Sequence, residues 1–141
     1  MARSFFIFLT TLVAFLMLSS CSDRQKRDRL ITRLEAAIDE QPRQQDIDSL
    51  LGAYEGYALE FPADHEQAGR YLYRAAGLAL QVQRPALALE HLESAIRDHY
   101  ACSNTPQAIA LLGTVYADEL RNATIAATVF QAGKQAFPAI E

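Results

Sequence analysis

The chain has 141 residues, half of them hydrophobic, with 13 basic against 17 acidic side chains, which is material for one folded domain of ordinary size. The net charge of −4 argues against a nucleic-acid partner, which needs a basic face. Alanine and leucine dominate and tryptophan is absent, the composition of a helical protein.

Residues 1–20 have the parts of an export signal. Arg3 supplies the basic start, and Phe5 to Leu18 is apolar apart from Thr10 and Thr11. A run of about 14 residues is too short for the ~30 Å hydrocarbon core, which needs about 20. At its end stands Leu18-Ser19-Ser20-Cys21, a cysteine directly after two small residues. This string resembles the lipobox of bacterial lipoproteins. The resemblance implies cleavage between Ser20 and Cys21, diacylation of the Cys21 sulfur, and a chain anchored by lipid to a membrane and facing the periplasm. An uncleaved anchor, or a secreted chain cut after Ser20, are the alternatives. Enterobacterial lipoproteins are held in the inner membrane by Asp directly after the cysteine. Here Ser22 takes that place and Asp23 follows, which favours the outer membrane. Residues 1–20 are thus expected to be a signal peptide, 21–23 a linker and 24–141 the folded domain. Loss of Arg3 with the signal makes the remainder one charge more negative.

Arg24, Lys26, Arg27, Arg29 and Arg33 follow the linker, diluted by Asp23 and Asp28. Such a stretch either meets anionic head groups, at about 1 kcal/mol per cation, or is the solvated first part of a helix. Prolines at 42, 62, 85, 106 and 138 punctuate the rest, and between them apolar residues recur with helical period. Six helices are expected. The first covers about 24–40, with Leu30, Ile31, Leu34, Ala37 and Ile38 inward. The second covers about 45–60, with Tyr54, Tyr57 and Phe61 among its inward residues. The third, about 65–82, is capped by Asp64 and buries Tyr71, Leu72, Ala75, Ala76 and Ala79. The fourth runs from Pro85 to near Tyr100 on Ala88, Leu92 and Ala95. Asn104 or Thr105 caps the fifth, whose apolar face continues to Leu120. The sixth covers about 123–137, with Ile125, Ala126, Val129 and Phe130 inward.

An aromatic closes every second helix, at Phe61, Tyr100 and Phe137, spaced 39 and 37 residues apart. Periods in this range mark stacked helix pairs. Ala76, Ala88, Leu92 and Ala95 in the middle unit, and Ala126, Phe130, Gly133 and Pro138 in the last, resemble a tetratricopeptide repeat. Leu112-Gly113-x-x-Tyr116 fits after a one-residue slip. The expected fold is therefore all-α. It is a short right-handed α-solenoid of about three tetratricopeptide-like hairpins, six helices, after an N-terminal apolar signal helix. Tyr71-Leu72-Tyr73-Arg74-Ala75-Ala76 and Ala88-Leu89-Glu90-His91-Leu92 are similar to the BamD-type lipoproteins of outer-membrane β-barrel assembly and to periplasmic repeat scaffolds. Those proteins carry more repeats than the roughly three this chain has room for.

Residues for chemistry do not assemble. His99, Cys102 and Asp98 gather near one helix end, and we read them as caps and surface groups. Cys102 has no partner within the chain once Cys21 is acylated. It either pairs between chains or lies buried and inert in a helix-joining turn, and we favour the latter. Glu35, Asp39, Glu40, Glu90 and Glu93 are expected on solvated faces. Gly52-x-x-x-Gly56 is expected to pack closely on the first helix. Asn122-Ala123-Thr124 matches a glycosylation acceptor that a bacterial lipoprotein does not use. The expected function is non-catalytic, with no cofactor, metal, nucleic acid or small-molecule substrate. The chain is read as an envelope scaffold or adaptor that holds a protein or peptide partner, its concave groove carrying Arg74, Gln81, Gln83 and Arg84. An obligate structural subunit of a larger envelope complex is the alternative.

Overall fold

The computed structural model describes residues 23–138, so the expected signal segment, Ser20 and Cys21 lie outside the described residues. Six α-helices follow one another, with no strand among the described residues. Helix α1 covers residues 23–40 of these. It is followed by α2 (Gln44–Glu60), α3 (His65–Gln81), α4 (Pro85–Asp98), α5 (Thr105–Thr114) and α6 (Ala123–Ala136). The all-α expectation holds, and the prolines mark helix ends as anticipated. Pro42 and Pro62 follow α1 and α2, Pro85 and Pro106 sit in the first turns of α4 and α5, and Pro138 follows α6.

The caps are partly those expected. The Asp64 carboxylate accepts the Gln67 backbone N–H at 3.3 Å and opens α3. Asn122 accepts the Ile125 N–H at 3.1 Å, so the Asn-Ala-Thr string begins α6. Asn104 occupies the cap position of α5, but its side chain makes no capping bond. Thr105 is buried, and its hydroxyl instead donates to the Tyr100 carbonyl at 3.0 Å. A π-helical turn, Val115–Glu119, prolongs α5, with the Leu120 N–H reaching back to the Val115 carbonyl at 3.1 Å. It falls just after Gly113, beside the one-residue slip in the expected repeat pattern.

From α2 onward each helix packs chiefly on its neighbours in sequence, most extensively α3 on α4. The reason lies in side-chain size. Ala68, Ala75, Ala76 and Ala79 on α3, with Ala88 and Leu92 on α4, are completely buried and let the two axes approach. Against them stands an aromatic cluster. Tyr71 lies 5.3 Å from Tyr54 and 4.9 Å from Tyr57, whose ring is 4.9 Å from Phe61, all within the range of favourable ring pairing.

Other expectations fail at the margins. Leu30, Leu120, Ile125 and Phe130 are exposed, not inward. Ile31 takes the buried position on α1, and α6, the last of the described helices, is covered mainly by α5 and its π turn. Gly52 and Gly56 are not contact points with α1. A Cβ at Gly52 would meet nothing within 4 Å, and one at Gly56 only the tip of Arg27, at 4.0 Å. Gly77 is equally open. Close approaches occur instead at Gly69, where a Cβ would stand 2.7 Å from Cys102 Cβ and 3.2 Å from His99 Cβ, and between α5 and α6, where Gly113 lies against the Phe130 ring and Gly133 against Ile109.

These distances set the sign of two substitutions. Gly69→Ala should destabilise by about 1–3 kcal/mol through overpacking. Gly77→Ala should stabilise by up to about 1 kcal/mol through helix propensity. Thermal unfolding followed by circular dichroism reads both.

Candidate functional site

The face shared by α1 and α3 carries the most organised polar groups. Asp28 and Glu35 are seven residues apart on α1, so both look toward α3. Glu35 accepts the Tyr54 hydroxyl at 2.6 Å and the Arg74 guanidinium at 2.8 Å. Asp28 accepts the Tyr71 hydroxyl at 2.7 Å. Asp64 takes the Tyr57 hydroxyl at 2.9 Å, besides Arg24 at 3.3 Å. Burial, and then the neighbouring carboxylates, raise all three phenols above their ordinary range, Tyr71 to about 12. They therefore remain protonated donors. Glu35, expected on a solvated face, is half-buried, because Tyr54 reaches it from below. Asp39 and Glu40 stay exposed.

Beside Glu35 lies a shallow groove of roughly 230 Å³. Asp39 of α1, Tyr54 of α2, and Arg74, Leu78 and Gln81 of α3 line it. Arg74 and Gln81 both line this groove, and Gln83 and Arg84 do not. Gln83 adopts a left-handed φ of 58° in the α3–α4 turn. The Arg84 N–H closes that turn on the Ala79 carbonyl at 2.8 Å, as a helix C-terminal motif does. The Arg84 guanidinium pairs with Asp48 of α2 at 2.7 Å and holds that carboxyl below its usual range. The groove expectation therefore fails at these two positions, because the chain must reverse there.

The basic run at the start of α1 is largely answered within the molecule. Arg24 pairs with Asp64, Lys26 with Asp23 at 2.8 Å and Arg27 with Glu60 at 2.6 Å. Exposed pairs of this kind contribute little each, about 0–1 kcal/mol. They do orient α1 over the α2–α3 turn.

The residues near the end of α4 do not converge on a reaction centre. Asp98 turns to Arg97 and Ser94. Cys102 is buried in the turn before α5, where its thiol donates to the Glu66 carbonyl and accepts the Asn104 N–H, both at 3.4 Å. Burial raises its pKa, which makes it a poor nucleophile. Glu66 accepts both the backbone N–H and the hydroxyl of Ser103, and these bonds hold its carboxyl at about 2. Among the described residues no group of three or more His, Cys, Asp or Glu side chains is placed to hold a metal ion.

Two histidines are more deeply placed than spacing alone suggested. His99 is buried 5.6 Å from His65, with Nδ1 lacking a partner. His91 is buried, and its Nε2 lies 3.4 Å from Glu55 without the alignment of a hydrogen bond. The signal was present, since His91 follows Ala88 by three and precedes Leu92 by one, on the inward face of α4. Burial lowers the pKa of both rings against the pull of nearby carboxylates. Comparison with protein-family models, curated proteins and solved structures finds no match for this chain.

A lowered folded-state pKa means that the unfolded chain takes up protons first. The stabilisation is complete above the unfolded histidine value, about 6.5, and is lost as pH falls through the folded values. Urea unfolding should therefore show lower stability at pH 5.5 than at pH 7.5. The double variant His91→Gln, His99→Gln should flatten that dependence.

Proposed function

We propose that this chain is a lipid-anchored, periplasm-facing adaptor whose helices form a short solenoid of tetratricopeptide-like hairpins. The observation that carries the reading is the serial packing of neighbouring helices, with α1 tied across to α3 by Asp28–Tyr71 and Glu35–Arg74. Hairpins α1–α2, α3–α4 and α5–α6 then lie side by side, each covering what its neighbour leaves bare. The closing aromatics support it as well. Tyr100 and Phe137, from successive units, stand with ring centres 5.6 Å apart. The groove beside Arg74 is open to solvent and needs no chemistry to act, since a partner segment would be held by shape and hydrogen bonds. The Cys21 lipid would raise the local concentration of partners at the membrane, as linked binding sites do. We place the protein in the envelope, at the outer membrane in preference to the inner, because Ser22 follows the cysteine.

A second reading, an obligate subunit of a larger envelope complex, draws on one feature. Ile125 and Phe130 of α6 and Leu120 before it are exposed near the C-terminal end of the array. Size-exclusion chromatography with light scattering on the detergent-extracted chain distinguishes the two. A stable monomer supports the adaptor.

The anchor is tested directly. The unaltered chain should incorporate labelled palmitate and sediment with membranes. Cys21→Ser should abolish the label and the association with membranes. A Cys21→Ser chain that is still cleaved and still sediments would overturn the lipid anchor.

A further inference from the structure

We infer that the outward face of α1 is a membrane-docking surface, laid by Arg29 and Arg33 against the anionic phospholipids of the bilayer that holds the anchor. The inference rests on the proposed lipid at Cys21 and adds to it how the folded domain lies on the membrane.

The face is defined by what α1 buries. Ile31 is its buried residue, and Asp28 and Glu35 on the same side reach Tyr71 and Tyr54. Arg29 and Arg33 each stand two positions from Ile31, so at about 3.6 residues per turn both lie nearly opposite it. Both are exposed, and Leu30 between them is 42% exposed.

Charge singles out this pair. The chain has 17 acidic residues against 13 basic, and the other cations that touch or belong to α1 are answered. Arg24 meets Asp64, Lys26 meets Asp23, Arg27 meets Glu60 and Arg74 meets Glu35. Asp23, Glu60 and Asp64, near the start of α1, are thereby neutralised and do not repel an anionic surface. Arg29 and Arg33 make no ion pair among the described residues. Like charges four apart on a helix repel each other, so the face gains from a polyanionic partner.

Reach selects a bilayer over an acidic protein. The chain is helical from residue 23, and the two steps from Cys21 span at most about 7 Å. Arg29 and Arg33 follow about 9 Å and about 15 Å further along the axis. An upright α1 would hold Arg33 beyond the Debye length, about 8 Å, of the head groups. A recumbent α1 brings both guanidinium groups onto lipid phosphates, which their planar fork can bind bidentately. Leu30 then enters the interface, as the apolar residues of surface-lying helices do. Helices α2 and α3, on the opposite side of α1, stand away from the membrane.

The test uses the full-length chain carrying Leu30→Trp, since the sequence has no tryptophan of its own. It is reconstituted into vesicles of brominated phosphatidylcholine, alone or mixed equally with phosphatidylglycerol. In the mixed vesicles the indole should emit further to the blue and be quenched by bromine. In the neutral vesicles it should not, nor in about 1 M salt, where the Debye length falls to about 3 Å. Arg29→Gln with Arg33→Gln should lower the ratio of docked to undocked chain about 25-fold, about fivefold for each cation lost at a charged membrane surface. Lys134→Gln, which removes an exposed cation of α6, should leave that ratio unchanged. Equal quenching in neutral vesicles, or indifference to the arginine changes, would overturn the surface. So would an indole shift that follows chain concentration in lipid-free detergent, the mark of a second copy on this face. Palmitate labelling reads the anchor separately. A labelled chain whose indole ignores phosphatidylglycerol keeps the anchor and loses the docking surface, whereas an unlabelled chain loses both.

Discussion

Three tyrosine rings join α2 to α3, and their hydroxyls must find partners at the edge of the core. That constraint places α1. Tyr54, Tyr57 and Tyr71 are each 3% exposed or less, so their hydroxyls cannot rely on bulk water. Glu35 and Asp28 of α1 and Asp64 before α3 receive them. Hydrogen bonds to charged acceptors contribute about 1.5–3 kcal/mol each, and a hydroxyl left without one costs a comparable amount. Helix α1 is therefore held in register over α3, and the groove beside Arg74 follows from that placement.

The alanine-lined contact between α3 and α4 is the counterpart of this polar edge. Dispersion and burial set the distance between those axes, and no ion pair is needed there. The exposed ion pairs act elsewhere, at turns. Arg84–Asp48 fastens the α3–α4 reversal to α2, and Arg24–Asp64 and Arg27–Glu60 fasten α1 to the α2–α3 turn. Each is weak in solvent, but together they bias where the connections run. The turn between α4 and α5 is secured differently. Gly69 admits Cys102, and Glu66 gathers Ser103 from the same turn.

Much of this was legible from residue order, and the failures share one cause. Helix ends could be read because proline lacks an N–H and Asp64 supplies a cap, both local effects. The inward set on α3 and α4 could be read because its period is that of one helix face. Glu35 was misplaced because a carboxylate looks solvated until a tyrosine from another helix is known to reach it. Gly52 and Gly56 were misread as a contact because small residues permit close approach without requiring it. Gln83 looked like a groove residue, but its left-handed backbone serves the chain reversal.

Sequence alone determined the helical class, the positions of the breaks and the alanine-rich seam, and it sets Cys21 at the end of an apolar run. These depend on steric and periodic rules that act within a few residues. Tertiary structure alone decided which acids meet the tyrosines, that Arg74 and Gln81 share a groove while Arg84 turns to Asp48, and that His91 is buried beside Glu55. Those outcomes depend on the distance and angle between helices far apart in the chain. Such geometry emerges only when all the faces pack at once.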